Sequence, residues 1–409
     1  MKNTLAAFFL VFFVCSCARA PIHHRTDALR KVHISKELQD DLPLEPFISA
    51  VEQQIKFLRN KPKSTSYSFG KKSLTKKQYL KGLNHLISLY KNSTNKSAFL
   101  TAVKKDFDFY EVYGKDRWSE IFLTSYFEPV IEGSYKKTKK HSQALYRSPK
   151  DLIYIDFGAF GIESREKKFP KKGRLLKKKT AAGNSPLIPY YTRKQIDGNG
   201  ALLKRGLEIC WVDPIDAFFL QIQGSGKIVF PGKKELRLGY ANQNGHPYVS
   251  IGKHLTDVIP KEEITLQSIE KHLRSLNHEN LSEVLYKNPS YVFFKKINSK
   301  PITYLGTPVL SGRTIATDEH FFNKGGLGLL LFEKPVFDSI ETQKVSRWVA
   351  TMRLVLDQDI GGAIKGPGRV DLFWGTGDLA KKNAGVLKGK GNLYYLVPKD
   401  NIILSPQRN

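Results

Sequence analysis

The stretch Asp359-Ile360-Gly361-Gly362-Ala363-Ile364-Lys365-Gly366-Pro367-Gly368-Arg369-Val370-Asp371-Leu372-Phe373-Trp374-Gly375 joins a glycine-rich loop to an alternating run. Four glycines and a proline between 361 and 368 let the backbone turn tightly and approach a ligand. On a strand, Val370, Leu372 and Trp374 share one face, and Asp371 and Phe373 share the other. An aspartate beside an aromatic, on a strand leaving such a loop, has the ingredients of a raised-pKa acid. A general acid at neutral pH needs its pKa lifted from about 3.9 to about 6, roughly 3 kcal/mol of destabilised charge. The competing structural reading has Asp371 capping the strand or pairing with Arg369 or Lys365.

Asp359 lies twelve residues before Asp371. Two carboxylates at that distance admit a glycosidase scheme of acid plus base or nucleophile. Asp359 reads equally well as a turn residue that ties the Gly-Gly loop through backbone N–H groups. Further upstream, Gln221-Ile222-Gln223-Gly224-Ser225-Gly226 reads as a strand end with amides and a glycine turn, suited to sugar hydroxyls. Its serine lacks a nucleophile-elbow context. The ten histidines form no HExxH-type pair, and Lys365 lacks the Gly-Lys-Ser/Thr order of a phosphate loop. No metal or cofactor is expected.

The short β-rich segments around this stretch define the texture after about residue 120. They are Ile121–Thr124, Ile153–Phe157, Ala217–Gln223, Tyr291–Phe294, Val309–Ile315, Leu327–Phe332, Arg369–Phe373 and Leu393–Val397, a density that points to barrels or sandwiches. Before them the spacing is helical. Phe47, Val51, Ile55 and Leu58 share a face, as do Tyr79, Leu83, Ile87 and Tyr90, and Ser97 is a candidate cap for a third helix through Phe99 and Val103. Leu266, Ile269, Leu273 and Leu276 mark one later helix. With 409 residues, 41% hydrophobic and 25% charged, the chain is globular and long enough for two domains. The basic stretch 133–200 is either a linker or the edge of an insertion.

At the N-terminus, Leu5 to Val14 is an apolar run of about ten residues, too short to span a bilayer, which takes roughly 20. It follows Lys2 and precedes Val14-Cys15-Ser16-Cys17, so residues 1–16 read as a secretory signal ending in a lipobox. Cys17 would then carry acyl chains and anchor the chain to a lipid bilayer, with 17–40 as tether. The alternative is an ordinary signal peptide that happens to contain two cysteines. Ala18, where aspartate favours inner-membrane retention, points to the periplasmic face of a Gram-negative outer membrane. Cys210, in an apolar segment, reads as a buried thiol. The net charge of +28 calls for an anionic partner. An exported lipoprotein without nucleic-acid motifs points to peptidoglycan and anionic lipid, not nucleic acid. The densest basic run, Arg165 to Lys179, is either part of that contact or a solvated loop.

Seven segments, in order, resemble the family of membrane-bound lytic murein transglycosylase A. They are Thr124-Ser125-Tyr126-Phe127-Glu128-Pro129-Val130, Pro189-Tyr190-Tyr191-Thr192-Arg193, Arg205 to Ile209, Asp216 to Gly226, Gly239 to Tyr248, Asn288 to Phe294 and Asp359 to Gly375. The resemblance spans roughly 45–400. It implies a mainly β protein with N-terminal helices: a double-psi β-barrel from 41–130 and 300–400, a smaller β-domain inserted at 131–299, and a groove between them for glycan. It also implies cleavage of the N-acetylmuramic acid–N-acetylglucosamine bond with closure of a 1,6-anhydro ring, one carboxyl acting as acid and then base. That carboxyl aligns with Asp371. Asp359 and Lys365 align as supports, and Tyr126, Glu128, Gln223, Ser225, Gly226, Asn244, Gly245 and Phe373 as substrate-binding or groove residues. Phe127 stands where relatives often carry tyrosine, and Trp374 where smaller or polar residues are frequent. A peptidoglycan-binding envelope lipoprotein without catalysis, and a two-carboxylate hydrolase, remain the alternatives.

Overall fold

The computed structural model describes residues 22–114, 117–160, 171–176, 180, 183–298, 301–339 and 344–404. The signal segment, Cys17 and most of the run 165–179 lie outside these residues. The chain enters through strand β1 (Leu29–Val32), followed by helices α1 (Glu45–Arg59), α2 (Lys76–Asn92) and α3 (Lys96–Asp106). The expected apolar stripe of α1 is buried: Phe47, Val51, Ile55 and Leu58 are all 3% exposed or less. A reciprocal box caps α2, Thr75 accepting from Gln78 N while Gln78 reaches back to Thr75 N. The cap of α3 is Asn95, which accepts from Ala98 N, two residues earlier than the expected Ser97. Strands β2 (Phe107–Val112) and β3 (Glu120–Glu128) complete this half.

Within the stretch 17–40, expected as a tether, β1 pairs antiparallel with β2. Asp40 closes a buried ion pair with Arg313 at 2.8 Å, and Asp41 holds Arg353 at 2.6 Å. Those charges read as solvated because their partners lie some 270 residues and more away in sequence.

One residue past β3, the chain builds a second sheet from β4 (Val130–Ser134), β5 (Gln143–Tyr146) and β6 (Glu208–Val212). Helix α4 (Pro214–Gln223), β7 (Gly226–Val229), β8 (Glu235–Gln243), helices α5 (Leu266–Ser275) and α6 (His278–Tyr286), and β9 (Val292–Ile297) follow. The strand order is β9-β8-β7-β4-β6-β5. Here the strand expected at Ala217–Gln223 is the helix α4. Asp213 caps it by accepting from the N–H groups of Ile215 and Asp216, Pro214 opens it, and Gly224 closes it at φ 80°. Its run Phe218-Phe219-Leu220 is buried on every side, so periodicity gave no warning.

The chain then returns through β10 (Thr314–Ala316), β11 (Gly326–Val336), β12 (Arg347–Asp359), β13 (Arg369–Thr376), helix α7 (Asp378–Val386) and β14 (Lys388–Pro398). The strand expected over 309–315 is confined to β10, because residues 311–313 turn. Strands β14, β11, β12, β10, β13 and β3 pair in that order, and β3 pairs back to β14, closing a six-stranded barrel. The mainly β architecture with N-terminal helices therefore stands. Val370, Leu372, Ile315, Leu123, Leu330 and Leu393 share its inner face, and side chains of the three helices belong to the same buried cluster.

Candidate active site

Three pairings set one row across the barrel wall: Thr124 (β3) opposite Asp371 (β13), Asp371 opposite Ala316 (β10), and Ala316 opposite Asp359 (β12). Residues directly opposite share a face, so these four side chains point the same way. The inward neighbours Val370 and Leu372 are fully buried, which leaves Asp371 on the outer face as the alternation predicts. A bulge at Gln358 changes the alternation on β12. Asp357 faces the interior, bonded to Lys324 Nζ at 2.8 Å and to the Tyr395 hydroxyl, while Asp359 joins the outer row.

Asp371 is partly exposed. One oxygen accepts from Thr124 Oγ1 at 2.6 Å, and no ion pair reaches it among the described residues. Arg369 donates to the carbonyls of Phe122 and Val370, and Lys365 is exposed. Burial of the carboxyl among protein atoms raises its pKa to about 6, helped by Asp359, while the Thr124 bond and the Arg369 charge oppose the rise. Two units correspond to about 3 kcal/mol between the charged and neutral forms. Asp371 is thus poised to hold a proton near neutrality and to release it.

Asp359 is differently placed. Oδ1 accepts from Tyr304 N at 3.1 Å and Ile360 N at 3.0 Å, and Oδ2 accepts from the Tyr126 hydroxyl at 2.8 Å. It braces the start of the loop and Tyr126, not the N–H groups of Gly361 and Gly362. Burial raises its pKa too, against those bonds and the Lys324 charge. Tyr126 spans the space above Phe373, with ring centroids 5.1 Å apart, and its hydroxyl pKa is driven well upward by burial. The glycine loop is held from below by Asp318, which accepts from Gly366 N at 2.8 Å.

The other expected residues divide into two groups. Glu128, Gln223 and Gly226 form the joint between barrel and insert. Glu128 accepts from Thr376 and faces Arg237 at 3.5 Å, and Gln223 accepts from Phe127 N. A side chain at Gly226 would meet Leu220 at 2.2 Å. Ser225 sits beside this joint, partly exposed. Asn244 is fully buried and spent on the backbone, donating to Tyr191 O and Pro289 O and accepting from Tyr291 N. Gly245 turns at φ 87° against Lys172. Thr124, Ala316, Asp318, Lys324 and Asp357 were missed, because nothing local marks a residue that matters through a partner on another strand. Cys210 is buried and its thiol is pushed up to about 12, as expected of an inert core cysteine. Among the described residues no cluster of three His, Cys, Asp or Glu converges, and no helix is long and apolar enough to cross a membrane.

Residues 122–295 match the MltA specific insert domain and 313–397 the 3D domain. Membrane-bound lytic murein transglycosylase A of Escherichia coli K12 is 29% identical over 293 residues, 71% of this chain and 69% of that protein. Its Vibrio cholerae counterpart is 27% identical over 69% of this chain and 67% of its own length. Among solved structures, a membrane-bound lytic murein transglycosylase from Agrobacterium tumefaciens superposes with TM-score 0.69 at 27% identity, covering 91% of this chain and 98% of that one. MltA from Neisseria gonorrhoeae gives 0.59 at 28%, covering 87% and 88%. The closed barrel joined to an inserted β unit, together with these named relatives, places the chain in a class, the lytic transglycosylases. Within that class, the chain belongs to the membrane-bound lytic murein transglycosylase A family, with a 3D domain at its C-terminal end.

Proposed function

We propose that Asp371 performs both proton transfers of a peptidoglycan cleavage that ends in a 1,6-anhydro sugar. The protonated carboxyl gives its proton to the glycosidic oxygen between N-acetylmuramic acid and N-acetylglucosamine, and the C1–O bond breaks. The muramoyl 6-hydroxyl oxygen then bonds to C1, and its proton returns to Asp371. Atoms balance without water, metal or a second acid. The observation that carries this reading is a partly exposed carboxyl with a pKa of about 6 and no ion pair among the described residues. Tyr126 and Asp359, with Phe373 buried against the Tyr126 ring, supply an aromatic and acidic floor for sugar rings. Barrel segments 41–130 and 300–400 and the insert 131–299 would hold the glycan in the groove between them.

The hydrolytic alternative is favoured by one observation, the second acid on the same row, Asp359. Mass spectrometry of digested sacculi separates the two. Anhydromuropeptides support the transglycosylase, reducing ends the hydrolase, and intact glycan a binder. An Asp371→Asn variant that turned over at the wild-type rate would refute the assignment. A lipid anchor at Cys17 on the outer membrane completes the reading, supported by the apolar run before it and the membrane-bound character of the named relatives. Palmitate labelling lost on Cys17→Ala tests it.

A further inference from the structure

The strands β4 and β7 run parallel, Val229 opposite Glu132, so their far ends come together. Because β4 starts one residue after the barrel strand β3, that end is the tip of the insert remote from Asp371. Two loops meet there: Tyr135–Ser142 after β4, and Phe230–Lys234 between β7 and β8. Tyr135 lies flat on buried Phe230, with ring centroids 4.0 Å apart and planes at 7°, and keeps its other face open at 64% exposure. Lys136, Lys137, Lys139, Lys233 and Lys234 lie on the same two loops, all exposed, with Lys137 Nζ 5.6 Å from the Trp211 ring, and none has an acidic partner among the described residues. The acids nearby are already engaged. Glu132 holds Lys140, Glu235 holds Lys227, and Asp213 and Asp216 face Arg274.

We infer that this tip is a second contact for the polymer, binding stem-peptide carboxylates with its lysines and a sugar ring on Tyr135. The inference rests on the peptidoglycan reading above. An open aromatic face backed by a buried ring suits the apolar face of a sugar. Cations without acidic partners at a tip attract an anionic chain over a Debye length of about 8 Å at physiological salt. A bilayer would demand protruding apolar side chains, and the tip offers one flat tyrosine. Since the tip is away from the acid, it retains the enzyme on the wall without touching the bond that breaks.

The test uses the full chain carrying Asp371→Asn, so that binding is scored without turnover. Lys136, Lys137, Lys139, Lys233 and Lys234 are changed together to Gln, and Tyr135→Ala is made separately. Co-sedimentation with isolated sacculi should fall by at least about tenfold in the lysine variant, with a flatter dependence on salt. Tyr135→Ala should weaken it by a smaller factor. In the catalytically intact background, turnover of short soluble peptide-free glycans should be unchanged. Unchanged sacculus retention in the lysine variant overturns the inference, as does binding to anionic phospholipid vesicles in preference to sacculi. Failure of the wild-type chain to cut glycan would instead overturn the reaction assigned above, while the sedimentation result still scores the tip.

Discussion

Among the described residues two carboxylates are raised to about 6 by burial, one in each β unit. Asp371 on the barrel accepts a single hydrogen bond from a neutral hydroxyl and keeps an open side. Asp197 in the insert accepts from Gln143 at 2.7 Å and faces the buried guanidinium of Arg193 at 3.6 Å, with Tyr291 closing over it. Arg193 is itself locked onto Asn288 O and Ser290 O and stacked on Phe218 and Tyr291. The same elevation therefore has two meanings. Where every partner is present the acid is part of a packed core, and where the partners are missing it is free to exchange a proton with a ligand.

Substitution separates the two most sharply. Asp371→Asn should lower cleavage by about a hundredfold to ten-thousandfold. It should also stabilise the fold. A carboxyl whose folded pKa exceeds its unfolded value loses stability as pH rises from about 4 through about 6, and the deficit is complete above that. Removing the charge should therefore return up to about 3 kcal/mol at neutral pH, less the Thr124 bond, measured by denaturant unfolding. Asp197→Asn should leave activity per folded molecule unchanged, because Gln143, Arg193 and Tyr291 around it all lie in the packed core of the insert. Loss of activity in both at equal stability would break the contrast.

Thr124→Val should have the next largest effect. It deletes the one bond that favours ionised Asp371, worth about 1.5–3 kcal/mol. The alkaline limb of the pH–rate profile should move up by about one to two units, read from kcat/KM against pH. Tyr126→Phe removes a donor from Asp359 and should cost about 1 kcal/mol of stability, with a several-fold fall in rate, as checked by melting and turnover. The smallest effect belongs to the joint. Gly385→Ala places a methyl 2.2 Å from the Gln267 amide, which donates to Lys381 O and Lys382 O across the α5–α7 contact. The amide can swing away, so the cost should be about 1 kcal/mol in unfolding and little in turnover.

Much of the barrel was legible because its strands are short β-rich runs set off by glycine, proline and asparagine: β3, β11, β13 and β14 each contain the run expected of them. The stripe of α1 was legible in its helical spacing. Helix α4 was not, since a run of buried apolar residues carries no period, although Asp213-Pro214 before it and Gly224 after it held the correct signal. The β1 segment and Asp40-Asp41 escaped because charged side chains read as solvated until their arginine partners are known. At the site, Asp371 was visible through its loop and its alternation. Its partner Thr124 and the spacer Ala316 depend on barrel closure, and the outward turn of Asp359 depends on a bulge.

The most direct measurement is the titration of the Asp371 carboxyl by carbon NMR in the full chain, set beside the pH dependence of kcat/KM. The account predicts a carboxyl midpoint near 6 that coincides with the alkaline limb and moves with it in Thr124→Val. A midpoint near 4, with the limb left where it was, would contradict it and assign the proton to another group.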